Sequence, residues 1–295
     1  RFYQNLYQQL LIALPLAVIS SILLLMFWSR ARRQYYSPRR MLQRALKQRQ
    51  LCLHYQPIID IKNEKCVGAE ALLRWPGCKD QVMSPAEFIP LAEKEGMIAQ
   101  ITDYVVEEVF SDMGTFLAAN PQLYISINLS ASDFHSSRLI AMIADKAREH
   151  GVLAQQIKVE VTERGFIDVP KTTPVIQAFR QAGYEVAIDD FGTGYSNLHN
   201  LYSLNVDILK IDKSFIDTLT TNSTSHLIAE HIIEMAQSLR LKTIAEGVET
   251  ADQVSWLLKR GVQYCQGWHF AKALPPQDFI HWLQQPPALL MQRGQ

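Results

Sequence analysis

Short apolar runs alternate with longer amphipathic ones along most of this chain, and that alternation limits the possible folds more than any other feature. Strands are expected at 53–59, 66–73, 124–129, 157–162, 185–189, 208–211, 242–245 and 264–265, as short apolar runs bounded by turn residues. Helical spacing fills most intervals. Ser84-Pro85-Ala86-Glu87 is a capping box with proline at the first helical position, opening a helix through 91–94. Further helices are expected at 98–117, 138–149, 173–182, 225–238, 251–260 and 276–283. Strand, helix and strand at this spacing imply a parallel sheet, and eight strands suggest closure into an α/β (β/α)₈ TIM-like barrel. An open doubly wound sheet is the alternative. It is disfavoured because no glycine-rich phosphate fingerprint or Walker sequence follows the first strands.

A barrel places its chemistry at the C-terminal ends of its strands. There the sequence sets Glu70, Asn128, Glu160, Asp189 and Asp190, Lys210, Glu246 and Gln266, each in or just after an apolar run. Any one of them alone reads better as a structural ion pair. Seven strand ends converging on one rim favour a site. At 185–196 a buried strand runs directly into paired aspartates and a loop broken by Gly192 and Gly194. Paired acids there are costly unless a cation neutralises them, although a solvated Asp-Asp turn is the plain alternative for this stretch taken alone. Oxygen donors without His or Cys select hard cations, Mg²⁺ or Mn²⁺. Five carboxylates and an amide exceed the needs of one ion. Two ions bridged by a carboxylate would activate a water for phosphoester displacement, with Lys210 orienting that water or offsetting charge. Ca²⁺, larger and satisfied by more ligands, is expected to inhibit.

Charge is zero overall but unevenly spread. Nine of the 29 basic residues and none of the acids precede Gln50, leaving 20 bases against 29 acids in the remainder. An acidic globular part argues against DNA or RNA as partner. Residues 10–28 carry no charge and match the ~20 residues needed to span a bilayer. The basic cluster Arg30, Arg32, Arg33, Arg39 and Arg40 follows directly, which predicts a cytoplasmic C-terminal side. The expected layout is the end of an extracytoplasmic region (1–9), a transmembrane helix (10–28), a basic cytoplasmic linker (29–50), a barrel domain (51–284) and a tail (285–295). The four cysteines show no C-x-x-C spacing, so neither zinc nor a disulfide is expected.

The ordered motifs Tyr55-Gln56-Pro57-Ile58, Glu70-Ala71-Leu72-Leu73-Arg74-Trp75, Asn128-Leu129-Ser130, Glu160-Val161-Thr162-Glu163, Asp189-Asp190-Phe191-Gly192-Thr193-Gly194-Tyr195-Ser196, Lys210-Ile211-Asp212, Glu246-Gly247-Val248-Glu249-Thr250 and Gln266-Gly267 resemble those of the EAL domain, the bacterial phosphodiesterases of cyclic di-GMP. The resemblance covers 51–284. It implies hydrolysis of cyclic di-GMP to linear pGpG, with Glu70, Asn128, Glu160, Asp189, Asp190 and Glu246 as metal ligands and Asp189 bridging. It further implies that Lys210 assists the water, that Gln56, Leu72 and Arg74 line the nucleotide site, that Gln266 supports the water and that Glu163 holds the glycine loop. One antiparallel strand near the start, a homodimer, a location in the bacterial inner membrane and a periplasmic Cys-bearing sensor upstream are implied as well. Asn197, Trp268 and Lys272-Ala273 depart from the commoner family pattern at the loop and the base-binding rim. Two other functions compete: a catalytically silent cyclic di-GMP receptor, disfavoured by the intact ligand set, and an enolase-type isomerase, disfavoured by the surplus of ligands and the Asp189-Asp190 pair.

Overall fold

The computed structural model describes residues 13–26, 28, 38–78, 81–83, 85–162, 169–192, 201, 203–219 and 225–285. Its strands are β1 (Cys52–Asp60), β2 (Lys65–Cys78), β3 (Gln81–Met83), β4 (Tyr124–Leu129), β5 (Ile157–Thr162), β6 (Glu185–Phe191), β7 (Ile208–Ile211), β8 (Lys242–Ala245) and β9 (Tyr264–Cys265). β4, β5, β7, β8 and β9 coincide with the strands expected from the sequence. Parallel pairing runs from β2 through β4 to β9, and β1 closes the ring by pairing antiparallel with both β2 and β9. Four residues separate β1 from β2, too few for the crossover that parallel strands need. β3 lies outside the ring as a hairpin partner of the long β2, and the Pro and Gly in that stretch hid it from a reading of apolar runs.

The α-helices with both ends described are α1 (Pro38–Lys47), α2 (Pro85–Lys94), α3 (Ile98–Ala119), α4 (Arg138–His150), α5 (Val169–Gln181), α6 (Lys213–Ile216), α7 (Ser225–Ser238), α8 (Ala251–Lys259) and α9 (Pro276–Gln284). α6 is too short to show a helical period and was not expected. α1 is amphipathic, and Leu42 and Ala45 on its apolar side are fully buried in the main core. This part of the basic segment therefore packs on the barrel domain. Upstream, residues 13–26 and Trp28 are helical with exposed side chains. Among the described residues no helix is long and apolar enough to cross a membrane; the expected span 10–28 runs past them at its N-terminal end and at Phe27.

Two apolar cores follow from the period of the strands, whose successive side chains face opposite ways. One lies between sheet and helices. The other fills the barrel with Ile58, Tyr124, Ala187, Ile208 and Ile244. Below it Lys158 pairs with Glu185 at 2.8 Å and stands 3.5 Å over the Tyr124 ring, while Lys242 pairs with the same Glu185 at 2.5 Å. The apolar layer separates this lower ion network from a second set of charges at the opposite end, where the strands finish.

Candidate metal centre

Lys210, the inward residue near the end of β7, is fully buried and is the focus of that second set. Its ammonium lies 2.5 Å from Glu160 Oε2, 2.7 Å from Glu246 Oε1, 3.0 Å from Asp189 Oδ1 and 3.2 Å from Glu70 Oε2. These acids come from β5, the position just after β8, β6 and β2. Asn128 on β4 donates through Nδ2 to Glu70 Oε1 at 2.6 Å, and Gln266 after β9 donates to Glu70 Oε2 at 2.8 Å and to Gln56 Oε1 at 3.0 Å. Gln56 in turn donates to the Ala271 carbonyl at 3.3 Å. Register accounts for the convergence, since Gln56 faces Glu70 across β1 and β2, and Asn128 faces Glu160 across β4 and β5.

The electrostatics show one cation set against too many anions. Burial opposes a charge on Lys210, but the surrounding carboxylates raise it well above an ordinary lysine. Burial likewise raises Glu70, yet Lys210 and the donors Gln266 and Asn128 outweigh it, and this carboxyl sits below its usual value. The others are left short. Burial pushes Glu160 up to about 8 against the pull of Lys210, with Glu70 and Asp189 adding to the rise. Burial raises Asp189 and Glu246, and burial together with neighbouring Asp189 carries Asp190 to about 6. Carboxylates crowded beyond what one ammonium neutralises are poised to take up cations.

The donor set fits divalent ions on two counts. Oxygens of Glu70, Glu160 and Asp189 lie within 4.8 Å of one another, and so do oxygens of Asp189, Asp190 and Glu246. Asp189 is common to both groups, as a bridging ligand must be. Glu160 Oε1 is also buried without a hydrogen-bond partner, an acceptor at hand for a cation. Oxygen-only donors of this kind match Mg²⁺ or Mn²⁺.

A cavity of about 310 Å³ opens onto the cluster, lined by Gln56, Glu70, Leu72, Asp189, Glu246 and Gln266 of the residues singled out in the sequence. Arg74 is not among the lining residues; it stands one step past Leu72 on the same face of β2, its Nη1 bonded to the Leu73 carbonyl at 3.0 Å. Glu163 and Thr193 to Ser196, the expected loop and its anchor, lie outside the described residues. Lys213, Gly247, Glu249, Gly267 and the exposed Trp268 complete the lining. Lys213 and Glu249 went unremarked as site residues, because a half-exposed Lys–Glu pair has no signature in sequence beyond the nearness of Lys213 to Lys210.

Comparison with known proteins agrees with this geometry. The family model described as EAL domain matches residues 39–273. Over 279 residues, 95% of this chain, the sequence is 45% identical to the probable cyclic di-GMP phosphodiesterase PdeB of Escherichia coli, covering 53% of that protein. It is 37% identical to the cyclic di-GMP phosphodiesterase NbdA of Pseudomonas aeruginosa, over 79% of this chain and 30% of that one. The chain thus spans about half the length of the first relative and less than a third of the second. Among solved structures, the MucR phosphodiesterase in complex with c-di-GMP superposes with a TM-score of 0.76 at 35% identity, covering 81% of this chain and 97% of that one. The EAL enzyme Bd1971, bound to cAMP and cyclic di-GMP, gives 0.78 at 29% identity over 90% and 76%.

Proposed function

The chain belongs to the EAL domain family, and from that premise we propose that it hydrolyses one phosphodiester of cyclic di-GMP to give linear pGpG. The observation that carries this reading is the pair of carboxylate groups sharing Asp189, with Lys210 at their focus. The names of the relatives in E. coli and P. aeruginosa point the same way. Glu70, Asn128, Glu160, Asp189, Asp190 and Glu246 would hold two divalent cations, Mg²⁺ or Mn²⁺. When bound, these supply an acidified water and neutralise charge on the phosphate. Lys210 keeps a fixed positive charge inside the site, oriented by four carboxylates, and offsets the negative charge that builds up on the attacked phosphate. Gln266 and Gln56, hydrogen-bonded to each other and to the rim, hold the polar wall of the cavity in place, while Leu72 offers an apolar surface to a base.

Around this centre the reading extends to the whole protein. Residues 10–28 anchor the chain in the bacterial inner membrane, the basic residues after them set the barrel in the cytoplasm, and an upstream sensor lies across the membrane. Two copies pair through their membrane segments and barrels. The test is direct: purified protein with cyclic di-GMP and Mg²⁺ or Mn²⁺ yields pGpG by chromatography, and Ca²⁺ in their place stops turnover. Tight cyclic di-GMP binding with no product under any divalent ion would make the protein a receptor instead.

A further inference from the structure

Resting on the phosphodiesterase reading, we propose that Lys213 is a positioning residue that aims Glu246 into the metal centre. Two lysines of one short segment, β7 and the start of α6, grip the two ends of the loop after β8. Lys210 bonds Glu246 Oε1 at 2.7 Å, and Lys213 bonds Glu249 Oε1 at 2.7 Å as well as Asp217 Oδ1 at 2.8 Å. Between the gripped acids lies Gly247, at φ 65°. A Cβ there would stand 2.3 Å from Lys213 Cγ and 2.6 Å from its Cβ and Cδ. The lysine stem therefore lies flat against the backbone next to Glu246, in space that any side chain at 247 would take.

Among the described residues, the remaining ties of the loop are on the backbone or deep in the core. Glu246 N–H donates to the Ile211 carbonyl at 3.0 Å, and buried Gln253 accepts from Glu249 N–H at 2.8 Å while donating to the Ile216 carbonyl at 3.1 Å. These hold the loop to the fold. Lys213 sets the last increment of its position, because its pair with Glu249 is half-exposed and adds little to stability, while its stem packs against Gly247, one residue from a ligand whose placement within about 1 Å decides the rate.

The experiment reads metal binding directly, from the free Mn²⁺ signal in electron paramagnetic resonance, with no substrate present. Lys213→Met keeps the stem and loses the charge. It should melt within a degree or two of wild type yet bind Mn²⁺ about tenfold more weakly, the range seen when a supporting partner of a ligand is removed. Glu249→Gln should match it, the double variant should be no worse than either, and Lys213→Arg should restore most of the affinity. Wild-type Mn²⁺ binding by Lys213→Met, or a loss fully explained by a lowered melting temperature, would overturn the proposal. A wild-type protein that binds Mn²⁺ but leaves cyclic di-GMP intact would instead sink the phosphodiesterase reading, and the Lys213 result would stand apart from it.

Discussion

Asp190 donates its backbone N–H to Oδ1 of Asp189 at 3.0 Å while itself adopting φ 54°. Consecutive residues of a regular strand point to opposite faces, so two adjacent aspartates should not serve one site. The left-handed residue breaks the alternation, and the pairing of β6 with β7 shifts register between Ile188 and Phe191, as at a bulge that re-aims a side chain. Both carboxylates thereby reach the same group as Glu246.

Asp190→Asn should keep this backbone, because Asn tolerates the left-handed region, and should weaken Mn²⁺ binding with little change in melting temperature. Asp190→Val should cost about 1–2 kcal/mol of stability from the same φ. Equal urea midpoints for the two variants would show that φ at 190 is not a constraint.

Glu70 and Glu246 should part company in the metal-free protein. Glu70 accepts from Lys210, Asn128 and Gln266 and sits below its ordinary pKa, so Glu70→Ala strands buried donors and should cost about 1–3 kcal/mol. Burial and neighbouring acids push Glu246 up, so Glu246→Gln removes a disfavoured charge and should leave melting unchanged or raise it. Both variants should lose turnover. Melting in a chelator checks the contrast, and a Glu246→Gln protein less stable than Glu70→Ala would contradict the charge assignment.

Metal-free protein should gain stability as pH falls from 8 to 6. Glu160, pushed to about 8, and Asp190, to about 6, are raised on folding, with Asp189 and Glu246 raised in the same sense. At these four carboxyls the folded state therefore binds more protons than the unfolded chain in this window, outnumbering the opposite pull of His54 and His269, which burial lowers, and the cost of those charges is relieved as pH drops through the folded values. Glu70 acts in the opposite sense only below its ordinary range, and Lys210 titrates far above the window. Melting temperature in chelator should rise by a few degrees from pH 8 to 6, and saturating Mg²⁺ should flatten or reverse the trend. A falling curve in chelator would sink the prediction.

The folded unit should need α1. A chain beginning at Gln50 uncovers the pocket filled by Leu42 and Ala45, both fully buried. It should be less stable than one beginning at Ser37, and Leu42→Ala in the longer chain should cost about 2–5 kcal/mol. Urea unfolding of the three proteins decides this, with equal midpoints counting against it.

The sequence by itself determined the barrel and most of its rim. Strand period, apolar runs and the placement of acids at strand ends are local signals, and Glu70, Asn128, Glu160, Asp189, Asp190, Lys210, Glu246 and Gln266 were all legible from them. The EAL resemblance supplied Gln56, Leu72 and the antiparallel β1, none of which periodicity alone marks. Tertiary structure decided the rest, because it depends on which residues meet across long separations in the chain. Glu70 and Lys210, 140 residues apart, become an ion pair only when the ring closes through β1. Asp190 turns toward Asp189 only through a backbone angle that no residue type dictates. Leu42 belongs to the core only because α1 folds back onto the barrel, and Lys213 touches Gly247 only because β7 and β8 are neighbours. Local periodicity encodes which face of a strand or helix is apolar, whereas the distance between two charges is set by closure of the whole sheet.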